Sequence, residues 1–251
     1  MPFESTIAWL TFRQLFTRRR MTAAILAALI PAIVAVIYRA VHPEMDPQLV
    51  AHFGDQVFRR LVITVLLPLM AVIIGTSAFG AEIDEGTIVY LLVKPIPRWH
   101  AVFTKYVVAV LSTILVMIPA IVLPWLVLRG PGVADAVPTA YLAGAALGAV
   151  VYGAMFLALG LLTNRGLVVG LLYIILIEMT LSQQIAGLRS ISVSAFATAI
   201  AQKVGALTLP PEAPPLVELS TVWTMSAIIA AIGLFLAVRR FSRLEITERG
   251  I

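Results

Sequence analysis

Long apolar runs flanked by basic or turn-forming residues set the pattern of this chain. A helix that crosses the hydrocarbon core of a bilayer needs about 20 mostly apolar residues. Six runs of that order occur, at residues 21–41, 61–80, 101–128, 139–162, 166–185 and 219–238. The first follows Arg18, Arg19 and Arg20, and the second follows Arg59 and Arg60. Only Thr163, Asn164 and Arg165 separate the fourth from the fifth, and because one span cannot absorb about 45 residues, a tight hairpin is predicted there. The first run exceeds the roughly 7–15 apolar residues of a secretory signal and lies behind a polar and aromatic leader, so it is read as a retained helix. The expected fold class is an all-α polytopic integral membrane protein, with six transmembrane helices in a single transmembrane domain over residues 1–251.

The segments between the runs carry shorter patterns. In the leader, residues 1–20, Ala8, Phe12, Leu15 and Phe16 recur at helical spacing with Trp9 beside them, which predicts an N-terminal helix lying in the membrane interface. Asp46 followed by Pro47 is an N-cap and first-turn pair, and Val50, Phe53, Val57 and Leu61 continue from it at helical spacing. The second span is thus predicted to begin as a helix outside the membrane. Within residues 186–218, Val193, Phe196, Ile200, Val204 and Leu207 share one helical face while Ser194, Thr198, Gln202 and Lys203 fall off it. This predicts an outer amphipathic helix on or dipping into the outer leaflet, followed by an extended stretch forced by Pro210, Pro211, Pro214 and Pro215. Gly144 with Gly148 and Gly166 with Gly170 form GxxxG pairs that allow close helix packing within the chain. Pro31, Pro68, Pro119 and Pro124 are expected to kink the first three spans.

Composition narrows the class. The chain is 61% hydrophobic and 12% charged, which excludes an ordinary soluble domain and a disordered chain alike. It has no cysteine, so disulfide frameworks, thiolate zinc sites and cysteine nucleophiles are excluded together. The net charge of +5 points to membrane orientation rather than nucleic acid, because the basic residues bunch beside the apolar runs. Six spans place both termini on one side, and that side would hold 12 of the 18 basic residues, among them Arg13, Arg165, Arg239, Arg240 and Arg243. Both termini are therefore expected in the cytoplasm.

Candidate chemistry is sparse. No GxxxxGK[ST] phosphate loop, HExxH or GxSxG occurs, so the chain lacks the usual means of hydrolysing ATP, peptides or esters. His42 and His52 share a loop with Glu44, Asp46 and Asp55, but the spacing matches no recurring ligand set. These residues are read as a solvated surface, and no metal site is expected. Glu178 is the one acidic residue well inside a span, where a charge costs about 2.5–3.5 kcal/mol on insertion-based scales. Two readings stay open for it. Its carboxyl is satisfied by Thr180, Ser182 or a hydroxyl on a neighbouring helix, or it lines a translocation path and meets a polar or cationic substrate. An intramembrane enzyme built on Glu178 would lack a second catalytic group in the spans, and a passive membrane scaffold is the remaining alternative.

The loop between the second and third runs is the most informative. Glu82, Asp84 and Glu85 suit a helix N-terminus, Lys94 suits its C-terminus, and Pro95 and Pro97 stop it. Ile88, Leu91 and Leu92 place an apolar face on that helix, and the face needs cover. The loop resembles that of type-2 ABC transporter permeases, which runs acidic residue, three residues, Gly-Thr, Leu-Leu, Pro, then a basic residue and a later Lys. Glu82, Gly86, Thr87, Leu91, Leu92, Pro95, Arg98 and Lys105 match.

The resemblance implies a permease subunit, not itself an enzyme and with no cofactor of its own. It would sit in the cell's inner (cytoplasmic) membrane and pair with a second permease copy as a homodimer or related heterodimer. Export would be driven by separate ABC ATPase subunits that hold ATP and Mg. Residues 82–98 would then be the coupling loop, with Glu82, Glu85, Gly86, Thr87, Ile88, Leu91, Leu92, Pro95 and Arg98 meeting the ATPase as an amphipathic helix in a groove. An interfacial helix lying on lipid would explain the leucines but not the acidic cluster, which an anionic leaflet repels. The resemblance also sets the fifth helix near the dimer interface, where two copies of Glu178 would face each other.

Overall fold

The structure, a computed structural model, describes residues 18–42, 46–84, 97–129, 133, 135–163, 165–184, 186–205 and 217–243. Helix α1 (Arg18–Val41) precedes α2 (Pro47–Asp55), which continues through a π-helical stretch (Gln56–Leu66) into α3 (Leu67–Asp84). Then come α4 (Arg98–Leu128), α5 (Val137–Leu162) and α6 (Gly166–Tyr173), the last running into a second π-helical stretch (Ile174–Leu181). Two short turns of helix, Ser182–Gln184 and Ala186–Arg189, lead to α7 (Val193–Gly205), and α8 (Leu219–Ser242) closes the order. The expected interfacial helix before Arg18 and the proline-rich stretch after α7 lie outside the described residues.

Among the described residues four helices are long and apolar enough to cross a membrane: Pro47–Gly80, Arg98–Leu128, Val137–Leu162 and Leu219–Ser242, of 34, 31, 26 and 24 residues. At 1.5 Å per residue the shortest is about 36 Å long, more than the roughly 30 Å of a hydrocarbon core. Two further apolar helices, Leu26–Val41 and Gly166–Thr180, are shorter among the described residues. The fifth run differs from its expected form because its regular helix gives way at Ile174 to a wider turn and the chain then folds back toward α7.

Local chemistry explains the boundaries. The Asp46 side chain accepts the Gln48 N–H at 3.0 Å with Pro47 as the first helical residue, the cap that the sequence predicts. Where the rod meets Pro68 the register widens, and the Leu67 N–H reaches back five residues to the Val62 carbonyl. Proline has no N–H and crowds the carbonyl one turn back, so a wider turn before it relieves the clash. The 163–165 hairpin forms as expected, with the Arg165 N–H donating to Thr163 Oγ1 at 3.2 Å. Gly166 follows so closely that a Cβ there would stand 3.1 Å from the Leu159 carbonyl oxygen.

Helix α5 is the hub, packed against α3, α4, α6, α7 and α8. Its glycines make this possible. A Cβ at Gly144 would lie 2.2 Å from the Ala197 carbonyl oxygen of α7, and one at Gly160 would lie 2.7 Å from that of Thr76 on α3. On α8, a Cβ at Gly233 would lie 2.8 Å from the Ala154 carbonyl oxygen of α5. Backbone therefore meets backbone on three sides, the close approach that small residues permit. Both GxxxG pairs pack within the chain, since Gly148 meets Leu67 and Gly170 meets Val72. At one end of the bundle, the Arg98 end, Phe79, Val102, Leu157, Leu161 and Phe241 form a core. Phe58, Val62, Leu128, Val137 and Tyr141 fill the opposite, α2 end.

Helix α7 departs from the expected surface placement. Ser194, Thr198 and Gln202, assigned to its polar face, are as buried as Val193, Phe196 and Ile200. The small Ala197 and Ala201 let it sink against Gly144 and Gly148 of α5, so the polar side is covered by the bundle rather than by water.

Candidate functional site

The coupling-type loop connects α3 to α4. Glu85, Gly86, Thr87, Ile88, Leu91, Leu92 and Pro95 lie outside the described residues. Its flanks are described: Glu82 belongs to the last turn of α3 and Arg98 is the first residue of α4.

The Arg98 flank is tied to its neighbour through the C-terminal carbonyls of α8. Arg98 donates from Nη1 to the Phe241 carbonyl at 3.5 Å and to that of Ser242, in the last turn of α8. Arg240 on α8 donates from Nε to the Leu161 carbonyl of α5 at 3.3 Å. Lys105 is fully buried, its Nζ donating to the Ala78 carbonyl of α3 at 2.6 Å and standing 4.4 Å from the centre of the Phe79 ring. A helix leaves its last carbonyls without intrahelical partners and concentrates negative potential there, so a cation from the next helix satisfies both. At the α2 end Arg39 on α1 reaches the Val127 carbonyl of α4 in the same manner. Basic residues that read from sequence as orientation signals thus also join helix to helix.

Glu178 lies in the middle of the second π-helical stretch and is completely buried. Its Oε1 accepts from the Tyr173 hydroxyl at 3.1 Å and the Val193 N–H at 3.0 Å. Its Oε2 accepts from the Ser192 and Ser194 hydroxyls at 2.6 and 2.7 Å and from the Ser194 N–H at 3.3 Å. Ser192 is the N-cap of α7, accepting the Ala195 N–H at 3.3 Å. Tyr152 of α5 lies beside the carboxylate, its own hydroxyl outside hydrogen-bonding geometry. Of the partners expected for Glu178, a hydroxyl on a neighbouring helix is the one found, in Ser194 of α7, whereas Thr180 Oγ1 donates to the Ile175 carbonyl and Ser182 Oγ donates to the Glu178 backbone carbonyl.

Of the residues weighed as a metal cluster, Glu44 lies outside the described residues. Among the described residues no group of three or more His, Cys, Asp or Glu comes together. His42 Nδ1 lies 3.3 Å from the Tyr38 carbonyl and His52 Nε2 lies 3.4 Å from Gln56 Nε2. Asp55, read from sequence as solvated, is buried in a two-pronged ion pair with Arg59 at 2.6 and 2.7 Å. The pair is i, i+4 on one helix, and the packing of the helix against the bundle turns it inward.

With this architecture in place, comparison with known families is decisive: the model for the ABC-2 family transporter protein matches residues 16–181, well over half of the chain. The chain belongs to the ABC-2 transporter family. No curated protein matches it. As an ABC-2 transporter it is a multi-pass membrane permease, a transport component of an ABC system that includes a nucleotide-binding partner. The matched region takes in the coupling-type loop, Lys105 and Glu178 but stops before Ser192 and Ser194. Those two serines, Tyr173 and Arg240 escaped the sequence reading. A Ser-Val-Ser ahead of an apolar helical run was the available signal for the first two, whereas nothing in the sequence ties Tyr173 or Arg240 to its partner.

Proposed function

We propose that this ABC-2 protein is the permease subunit of an exporter. It works as a dimer, with itself or with a related permease, and two separate ABC ATPase subunits drive it from the cytoplasm by hydrolysing ATP with Mg. In this reading α1 and the α6 segment complete six spans, the Arg98 end faces the cytoplasm and the α2 end faces outward. Residues 85–93 act as the coupling helix in a groove of the ATPase, with Glu82 and Arg98 at its flanks. The observation that carries the reading is where this loop is rooted. It springs from the end of α3 and the start of α4, and α4 is tied to α3 through Lys105 and to α8 through Arg98, so a push on the loop is delivered to three helices at once. The absence of a phosphate-binding loop in the sequence supports a separate source of ATP hydrolysis.

The test is purification from the native host in mild detergent, followed by mass measurement of the complex. Two permease chains with two ATP-binding subunits are expected. A monomer with no ATPase partner would leave the chain a membrane scaffold and remove the proposal.

A further inference from the structure

A helix N-terminus is an awkward object to place inside a membrane protein. Its first N–H groups have no partners within the helix, and each one left unsatisfied in a water-free interior is costly. Helix α7 starts in such a place. Ala197 packs on Gly144 and Gly148, and Ala201 packs on Gly144, so α7 runs antiparallel to α5 and its first residues lie toward Tyr152. That is near the middle of α5, roughly 22 Å from the end of that helix at Val137. Val193 and Ser194 at this start are buried, as is the cap residue Ser192.

We propose that Glu178 is a positioning residue that holds α7 inside the bundle. Five donors converge on its carboxylate, and four of them belong to the start of α7: the hydroxyls of Ser192 and Ser194 and the N–H groups of Val193 and Ser194. The two backbone donors cannot rotate away, and the positive end of the helix dipole favours an anion there. The wider turn around Glu178, where the Ser182 N–H reaches back five residues to the Ile177 carbonyl, sets the carboxylate at the α7 start. Glu178 therefore spends its hydrogen-bonding capacity on α7, and the charge that looks expensive in a span is the condition for burying a helix start at this depth. The anchoring does not depend on the transport reading above, and its test needs neither substrate nor ATPase.

The chain has no cysteine, so single cysteines report local opening directly. Ala199 is a buried residue of α7, and Ala237 is a buried residue of α8 at the Arg98 end. The rate at which a small charged methanethiosulfonate reagent modifies Ala199→Cys or Ala237→Cys is measured in the detergent-solubilised full chain, with and without Glu178→Gln. Gln keeps the shape but turns an NH2 group toward donors, so modification at 199 is expected to rise about ten-fold or more while 237 stays protected. Ser194→Ala, which removes one donor and leaves the carboxylate, is expected to raise the rate at 199 by a smaller factor. An unchanged rate at 199 in Glu178→Gln overturns the proposal, even if transport is lost, because a residue that only contacts substrate would behave that way. If Glu178→Gln loosens both sites, Ser194→Ala decides: selective opening at 199 sustains the anchor, and opening at both sites or neither overturns it.

Discussion

Gly144 and Gly148 stand one turn apart on α5 and look equivalent in the sequence, yet their surroundings differ. A Cβ at Gly144 would press into the backbone carbonyl of Ala197 at 2.2 Å, which cannot move without shifting α7. A Cβ at Gly148 would meet the end of the Leu67 side chain at 2.5 Å, which can turn aside. Gly144→Ala is therefore expected to destabilise by about 1–3 kcal/mol, and Gly148→Ala to be close to neutral. Thermal unfolding in detergent checks this, and equal shifts in the two variants would refute the packing argument. Asp55 and Arg59 give a second test. Asp55→Asn leaves a buried guanidinium without its counter-charge and is expected to cost about 3–5 kcal/mol, while an apolar replacement of both partners recovers most of it. An unchanged melting temperature for Asp55→Asn would mean that the pair is solvated after all. The i, i+4 spacing was readable in the sequence, but its inward direction was not, because that depends on which face of this helix meets Tyr141 of α5, against which Phe58 packs.

At the scale of the element, the recurrent device is a cation on one helix closing the carbonyl end of another: Arg98 of α4 closes α8, Arg240 of α8 closes α5 and Arg39 of α1 closes α4. Lys105 extends it to α3 one turn and more before that helix ends. Lys105→Met keeps the apolar stem against Phe79 and removes the ammonium. Insertion and ATPase binding are expected to persist in this variant, with substrate-stimulated ATP hydrolysis lost. Arg98→Ala is expected to act in the same direction. Normal coupling in both, measured in the complex reconstituted into vesicles, would show that these ties hold the bundle together without relaying motion. The sequence showed these residues clustered beside apolar runs and part of a loop pattern. The identity of each carbonyl partner was invisible to it, because a carbonyl is present at every position and only the packing chooses among them.

For the whole molecule, the coupling reading makes its sharpest demand on the loop. Leu91→Arg places a charge where the proposal requires a desolvated groove, and Glu85→Lys reverses an acidic contact. Both variants are expected to insert normally and to lose transport-coupled ATPase activity, with Leu91→Arg also weakening recovery of the ATPase subunit in purification. Wild-type coupling in both would take this loop out of the mechanism.

What the sequence determined by itself was the set of properties that follow from solvent preference and local geometry. Four of the apolar runs as span-length helices, the Asp46–Pro47 helix start, the turn between the fourth and fifth runs and the small-residue pairs appear in the structure. Each depends on residues within a turn or two of one another, or on transfer of a single segment into lipid. Tertiary structure decided the rest. It took α7, whose alternation of apolar and hydroxyl residues suited a surface, and buried it on nearly every side against α5. It also turned Glu178 from an isolated acid in an apolar run into the acceptor for that helix's first N–H groups. In lipid the cost of an unpaired polar group is so high that partners are found wherever packing brings them, and packing is a property of segments far apart in the chain.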